Sequence, residues 1–491
     1  MAVNNELDVF LNPKSVAVIG ATERPGSWGS YIMQGLLSRR YRGKIFPINQ
    51  HAHRIFGLPA FRDVGEVDEP IDLAVLTIPE HSVEKIIEAC GRKKIKGLTM
   101  VTAGFGEISE IGKDREKALA RLARSFGIRL LGPNVSGTFN LDSEFIASSS
   151  PAEHLVNTPL AIVSQGGYAL NDLLASGFSR RMGVGKFIHT GNECDLTVTD
   201  FLEHFGQDPD VQGIVMYLEA IRDGRRFSQI AREVSMVKPI VVYKGGRTPG
   251  AARAAQSHTG ALAGTREIYE SLFHQAGVIM SPSMELLLPL GHALIERPPM
   301  RGRKIGIMTM GGSWGVALSD SLEEAGLIVP ELSSNLQRSL RSLGMPLRAS
   351  TRNPVDLGAS GLFFEVDTFI ALGREILCSA EVDALILHGM GSVGMLGQDA
   401  PRRLKLFLDT NKRIIQSFVD LEKEVGLPVL IGSIFTPWES QIVHDLNEQG
   451  IRIYDRLHET AQLLSLMYQY SKTRPLGSPQ SQPRSHFTRP E

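Results

Sequence analysis

The sequence predicts an α/β protein of parallel sheets, with an N-terminal Rossmann-like domain followed by two flavodoxin-like domains. Three observations carry this reading. Short β-branched runs alternate with amphipathic stretches such as SVEKIIEACGRKK along the whole chain, as in βαβ units with buried strands. Many of the 49 glycines fall in tight loops directly after those runs, which is where nucleotide-type sheets make their turns. The second and third sets of runs can also be laid over each other.

The first set comprises SVAVIGA (15–21), KIFPIN (44–49), LAVLTIP (73–79), GLTMVTAG (97–104) and IRLLGPN (128–134). A Ser- and Pro-bearing stretch at 148–159 closes it, so residues 1–150 form the first domain. LAIVSQ (160–165), GIVMYLEAI (213–221), PIVVYKGG (239–246) and GVIMS (277–281) make the second domain, 151–297. The Pro- and charge-rich linker ERPPMRGRK (296–304) leads into the third, 298–470, with KIGIMTMGG (304–312), ALILHGMG (384–391), PVLIGSIF (428–435) and IRIYD (451–455). LAIVSQGGYAL overlays IGIMTMGGSWG, GIVMYLEAI overlays ALILHGMGS, and KPIVVYKGG overlays LPVLIGSIF, so one domain is duplicated. The tail 471–491, rich in Pro, Ser and Arg, has too little apolar surface to offset its ordering entropy and is expected to be disordered.

Composition narrows the function. With 52 Lys plus Arg against 53 Asp plus Glu the formal charge is -1, so no global basic field exists for nucleic acid or anionic lipid. Cys90, Cys194 and Cys378 are scattered and odd in number, which excludes a disulfide framework and a cysteine zinc ribbon. No basic leader with an apolar run, and no stretch approaching ~18 uncharged apolar residues, is present. A cytoplasmic protein is expected.

Ligands of open α/β sheets sit at the carboxyl ends of strands, and four places there carry candidate chemistry. In GATERPGSWGS (20–30), Gly20 permits the turn and Ser27 caps the following helix, whose amides suit a phosphate; a plain βα turn would read the same way. The spacing is not GxGxxG and no acidic residue follows the second strand as a ribose contact would require, which argues against a dehydrogenase. Ser164-Gln165-Gly166-Gly167 and Gly311-Gly312-Ser313-Trp314-Gly315 each enter a helix, so two helix N-termini can converge on one phosphate. Close helix–strand packing alone would also call for such glycines.

The third place is ARAAQSHTGALAG (252–264), where His258 stands among small residues with no apolar periodicity. A neutral imidazole is a competent nucleophile toward phosphorus near pH 7. Ser257, Lys244 and Arg247 supply hydroxyl and cationic partners for phosphate oxygens. The fourth is Glu219, a carboxylate ending an apolar run. It either orients His258 and stabilises the phosphohistidine or pairs with Arg222 or Arg225.

These strings form a recognisable pattern. NPKSVAVIGATERPGSWGS, GKIFPIN, TAGFGE, LGPNVSG, VSQGG, KPIVVYKGGRTPGAARAAQSHTGALAG and NPVDLG, spread over most of residues 10–465, resemble the nucleoside-diphosphate-forming acyl-CoA synthetases. The likeness is to the α subunit or α-like half of the ADP-forming acetate–CoA ligases, relatives of succinyl-CoA synthetase. It implies a first domain that binds coenzyme A along Gly20, Ser27, Pro47, Ile78, Pro79, Thr102 and Asn134. It also implies phosphorylation of His258, Glu219 as its stabilising carboxylate, and phosphate held by Ser164, Gln165, Gly166, Gly167, Gly311, Gly312, Ser313 and Lys244. Acyl-CoA and phosphate would give acyl phosphate, and His258 would carry the phosphoryl group to ADP.

Three positions depart from the pattern: Gly166 where the family reads SQSG, Val135 where it reads GPNC, and Trp314 within its GGPG turn. No stretch remains for an ATP-grasp fold. The resemblance therefore implies a separate ATP-grasp β-type subunit that brings ATP or ADP with Mg²⁺, a small carboxylic acid or acyl-CoA as substrate, and a dimer or heterotetramer. No metal cluster is expected on this chain. The other reading is a CoA-binding sensor or scaffold that keeps the fold without the chemistry.

Overall fold

The computed structural model describes residues 6–149, 154–167, 173–174, 177–178, 180–253, 265–358, 360–362, 365–391 and 402–473. The tail expected to be disordered lies outside them from residue 474, and the last helix, Leu457–Lys472, runs to that point. The chain divides into two compact units, Met1–Phe178 with Met182–Gly291, and Ser179–Arg181 with His292–Glu491.

The first unit opens with β1 (Ser15–Ile19), β2 (Lys44–Ile48), a short ladder of β3 (Arg54–Ile55) and β4 (Leu58–Pro59), then β5 (Leu73–Leu76), β6 (Gly97–Met100) and β7 (Arg129–Leu131). Five of these form a parallel sheet in the order β2-β1-β5-β6-β7. β1, β5 and β6 are buried along their whole length, which explains why they read as continuous apolar runs with no alternation. Helices Trp28–Ser38, Val83–Arg92 and Glu110–Ser125 make the crossovers.

The second sheet holds β8 (Gly137–Asn140), β9 (Phe145–Ser148), β10 (Leu160–Ser164), β11 (Lys186–His189), β12 (Gly213–Leu218), β13 (Ile240–Lys244) and β14 (Ile279–Met280). Its order is β14-β13-β12-β10-β11-β8-β9, with β8 antiparallel to both its neighbours. β8 and β9 thus extend the second sheet although they precede residue 150. Asp195, its side chain fully buried, joins the two sheets' surroundings: it accepts from Arg124 Nε at 3.0 Å, Arg129 Nε at 3.0 Å and the Leu130 amide at 2.9 Å.

The second unit contains β15 (Ile305–Thr309), β16 (Val355–Asp356), β17 (Ala384–His388), β18 (Val429–Gly432) and β19 (Ile453–Tyr454), parallel in the order β16-β15-β17-β18-β19. Within the second sheet, β11-β10-β12-β13-β14 has the same connectivity. Register agrees as well: Ser164 lies opposite Tyr217, and Thr309 opposite His388. The duplication read in the sequence is therefore present in the topology. Where the sequence marks only a linker, Arg297 is buried and donates to Glu422 at 2.9 Å and to the Val429 carbonyl at 2.9 Å.

Candidate functional site

The first cluster lies along the carboxyl edge of the first sheet. Gly20 follows β1, Pro47 lies in β2, Ile78 and Pro79 follow β5, Thr102 follows β6, and Asn134 follows β7. Gly20 has φ +92°, and a Cβ there would stand 2.8 Å from the Thr77 carbonyl oxygen. At Gly29, in the first turn of the helix Trp28–Ser38, a Cβ would meet the Gly20 carbonyl oxygen at 2.1 Å. Turn and helix start therefore touch backbone to backbone, as a loop that admits a phosphate requires.

Ser27 occupies the N-cap position, but contrary to expectation it does not cap. Its hydroxyl donates backward to the Arg24 carbonyl at 2.7 Å and closes the preceding turn. The first-turn amides keep no side-chain partner and suit an anion. Thr102 Oγ1 donates to the Ile78 carbonyl at 2.7 Å, and the Asn134 amide donates to the Thr102 carbonyl at 3.0 Å. The seven positions thus share one edge.

The second cluster ends the second sheet at its switch point. Gln165 is buried; its Oε1 accepts from the amides of Glu219 at 2.6 Å and Ala220 at 3.0 Å, while its Nε2 donates to the Ala220 carbonyl at 2.8 Å. One amide side chain thereby clamps the loop that carries Glu219 onto the turn entering the next helix. Ser164 Oγ bonds the amide and carbonyl of Gly166 at 3.2 and 2.7 Å, so its hydroxyl shapes the turn from inside. Glu219 is itself buried and accepts from the Tyr217 hydroxyl at 3.2 Å.

Lys244 points inward. Only 1% exposed, it donates through Nζ to the Glu219 carbonyl at 2.6 Å and to the Gly245 carbonyl, with the Tyr269 ring centroid 4.3 Å away. Burial pushes its ammonium down to about 8, against the opposing pull of the Glu219 carboxylate. A lysine in this state positions the Glu219 loop. We expect the rate of phosphoryl transfer to fall as pH rises through about 8, and this limb to vanish in a Lys244→Met variant of lower rate; pH–rate profiles of both proteins check it.

Between the two edges lies a buried polar cluster. Asn192 Nδ2 donates at 2.6 Å to Glu107 and at 2.6 Å to Glu116, and its Oδ1 accepts from Asn134 at 3.4 Å. Arg222 donates to the Asn192 carbonyl and lies 3.6 Å from the buried Glu193. The described ion pair of Arg222 is therefore with Glu193. Burial raises the carboxyls of Glu116 and Glu193 above the usual range, partly offset for Glu116 by the Asn192 bond.

In the second unit, Gly311 is the N-cap of the helix Gly312–Glu324, with Gly312 and Ser313 exposed in its first turn. Thr309 Oγ1 bonds the amide and carbonyl of Gly311 at 3.3 and 3.1 Å, the same closure that Ser164 makes. His258 and Ser257 lie outside the described residues.

The family profile described as a CoA binding domain matches residues 14–139, and that of the succinyl-CoA ligase like flavodoxin domain matches residues 157–294. Across 476 residues the chain is 34% identical to the subunit alpha of acetate–CoA ligase [ADP-forming] I of Pyrococcus furiosus, covering 95% of this chain and 98% of that one. It belongs to the α-subunit family of ADP-forming acetate–CoA ligases. The acetate–CoA ligase [ADP-forming] of Methanocaldococcus jannaschii is 35% identical over 356 residues, which span 72% of this chain and 49% of that one. A solved structure of the dinucleotide forming acetyl-coenzyme A synthetase 1 of Candidatus Korarchaeum cryptofilum, in complex with phosphate and ADP, superposes with a TM-score of 0.82 at 32% identity, covering 96% and 98% of the two chains.

Sequence reasoning missed His189, which packs against the second cluster. Buried at the end of β11, it accepts from the Ser136 amide at Nδ1, 2.7 Å, so Nε2 carries the proton and bonds the Gln165 carbonyl at 3.0 Å. Its only signal was a three-residue run, KFI, too short to separate from a loop. Gln165→Ala should free the Glu219 loop and lower turnover on the order of a hundredfold, with KM for CoA unchanged; steady-state kinetics of the assembled enzyme check both parts.

Proposed function

We propose that the chain is the catalytic α-type half of an acyl-CoA synthetase, interconverting acyl-CoA, ADP and phosphate with a carboxylic acid, CoA and ATP. It works with a separate ATP-grasp subunit in a dimer or heterotetramer, in the cytoplasm. The observation that carries this reading is the buried Glu219, held at the switch point by Gln165 and Lys244 on a chain that also carries the SHTGALAG loop. A costly buried carboxylate kept at a strand end fits a group that must stabilise a charged imidazole.

CoA fits the first edge, where the two glycines leave a side-chain-free path to uncapped helix amides. It supplies the thiol that leaves as phosphate takes the acyl group. The amides of the Ser164–Gly167 turn hold the phosphate oxygens. His258 then accepts the phosphoryl group from acyl phosphate at one ring nitrogen, and the carboxylic acid departs. Glu219 holds the proton of the other nitrogen and offsets the charge. The phosphorylated loop passes its group to ADP on the partner, where Mg²⁺ travels with the nucleotide and no dedicated cluster on this chain is required.

Release of free thiol from an acyl-CoA on adding ADP and phosphate tests the assignment. Both chains together should show it and neither alone; no release with any acyl-CoA in the presence of a competent partner would overturn it.

A further inference from the structure

The two duplicated sheets differ in the polar groups at their strand ends. In the first, Tyr217 near the end of β12 gives its hydroxyl to Glu219 at 3.2 Å. In the second, His388 ends β17 at the equivalent register, and Met390 stands where the carboxylate would be. His388 is 1% exposed, and neither ring nitrogen has a hydrogen-bond partner among the described residues. The ring lies in a built cradle. A Cβ on Gly432 would come within 2.4 Å of its Cδ2, and the Trp314 ring meets it edge to face with centroids 5.4 Å apart. Gly389 in turn makes room for the indole, since a Cβ there would stand 2.7 Å from it.

Leaving buried polar atoms unpaired costs roughly 1–3 kcal/mol for each group, and an apolar side chain would fill the same space without that cost. Among the described residues nothing offsets that cost, and an arriving hydroxyl group would. The location agrees. Trp314 lies in the first turn of the helix Gly312–Glu324, which has no side-chain cap, so a carboxylate or phosphate and the imidazole are served at one strand edge.

We propose that His388, covered by Trp314, recognises a hydroxyl group on the acid substrate, so that hydroxy acids are preferred over their plain counterparts. This deepens the synthetase reading and rests on it. Burial pushes the imidazole down to about 4, so near pH 7 it is neutral, with one N–H and one lone pair. That pairing matches a hydroxyl, which both donates and accepts, and offers no charge to a second carboxylate. The part-exposed indole must turn aside for the ring nitrogens to be reached.

The test measures kcat/KM of the assembled two-subunit enzyme for glycolate against acetate, 3-hydroxypropionate against propionate, and 4-hydroxybutyrate against butyrate. One pair at least should favour the hydroxy acid about tenfold or more, since a site built around a hydroxyl penalises its absence. His388→Leu should erase that preference, leave the plain acid within about threefold, and keep or raise the melting temperature. His388→Gln, which retains one amide, should keep part of the preference and gives the same readout if the leucine variant folds poorly. No preference in any pair, an unchanged ratio in His388→Leu, or loss of both members together overturns the proposal. Phosphorylation of His258 by ATP, followed alongside, should be unaffected by the substitution. Its absence in the unaltered enzyme would sink the synthetase reading itself.

Discussion

His258→Ala is expected to abolish phosphoryl transfer, with turnover falling at least about ten-thousandfold while binding of CoA to the separate first-sheet edge persists. No second imidazole in the described switch point can substitute: His189 is committed on both nitrogens, to Ser136 and Gln165. Glu219→Gln tests the same mechanism more finely. The amide keeps the shape and the Tyr217 contact but lacks the charge, so the phosphohistidine should still form and should be discharged about a hundredfold more slowly or lost to water faster. Rapid-quench measurement of label on the protein separates the two variants: none in the first, altered formation and decay in the second. Equal behaviour of Glu219→Gln and the unaltered protein would remove Glu219 from the chemistry.

Asp195→Ala carries the largest expected effect on stability. Its carboxylate, with no solvent exposure, gathers two guanidinium groups and the Leu130 amide. Breaking a buried hydrogen-bonded pair of this kind costs about 3–5 kcal/mol; because Arg124 is 60% exposed and can rehydrate, the lower end applies. Burial works against ionisation, but Arg129, the Leu130 amide and Arg124 prevail and hold the carboxyl below the usual aspartate range. The sign follows: this stabilisation is complete above the unfolded aspartate's value and is lost as pH falls through the lower folded one. Asp195→Ala should therefore melt several degrees lower at neutral pH, with the gap closing in acid. Thermal scans at pH 7 and below pH 4 check both. The adjacent loop also carries Asn192 and Glu193, so the variant should raise KM for CoA.

Much of this architecture was legible in the sequence, for physical reasons. β1, β5, β10, β12, β13, β15, β17 and β18 are central or fully buried strands, and burial on both faces writes itself as an apolar run ending in glycine. The duplicated domain was visible because matching runs and double-glycine turns recur in order. β8, β9 and β11 were not found. The first two are antiparallel and four residues each: β8 is itself GTFN, and LDSE joins it to β9, so their Gly, Asn and Asp read as turns.

At the candidate site, side-chain orientation could not be read from the sequence. Lys244 and Ser164 were expected to hold phosphate, yet both side chains turn inward onto the carbonyls of Glu219 and Gly166. Ser27 was expected to cap and instead closes the turn before it. Nothing local in the sequence says that Gln165 reaches across to residues 219 and 220, because that contact exists only once β10 and β12 pair. His388 shows the same limit: only its burial with no hydrogen-bond partner among the described residues distinguishes it from an ordinary strand-end histidine.

The measurement that bears most directly on the central claim is labelling with γ-labelled ATP and Mg²⁺ in the presence of the ATP-grasp subunit. An acid-labile, alkali-stable phosphate is expected on His258, absent in His258→Ala and discharged by CoA together with the correct carboxylic acid. If the partner is active and this chain takes up no label, the phosphohistidine mechanism is contradicted and a CoA-binding scaffold takes its place.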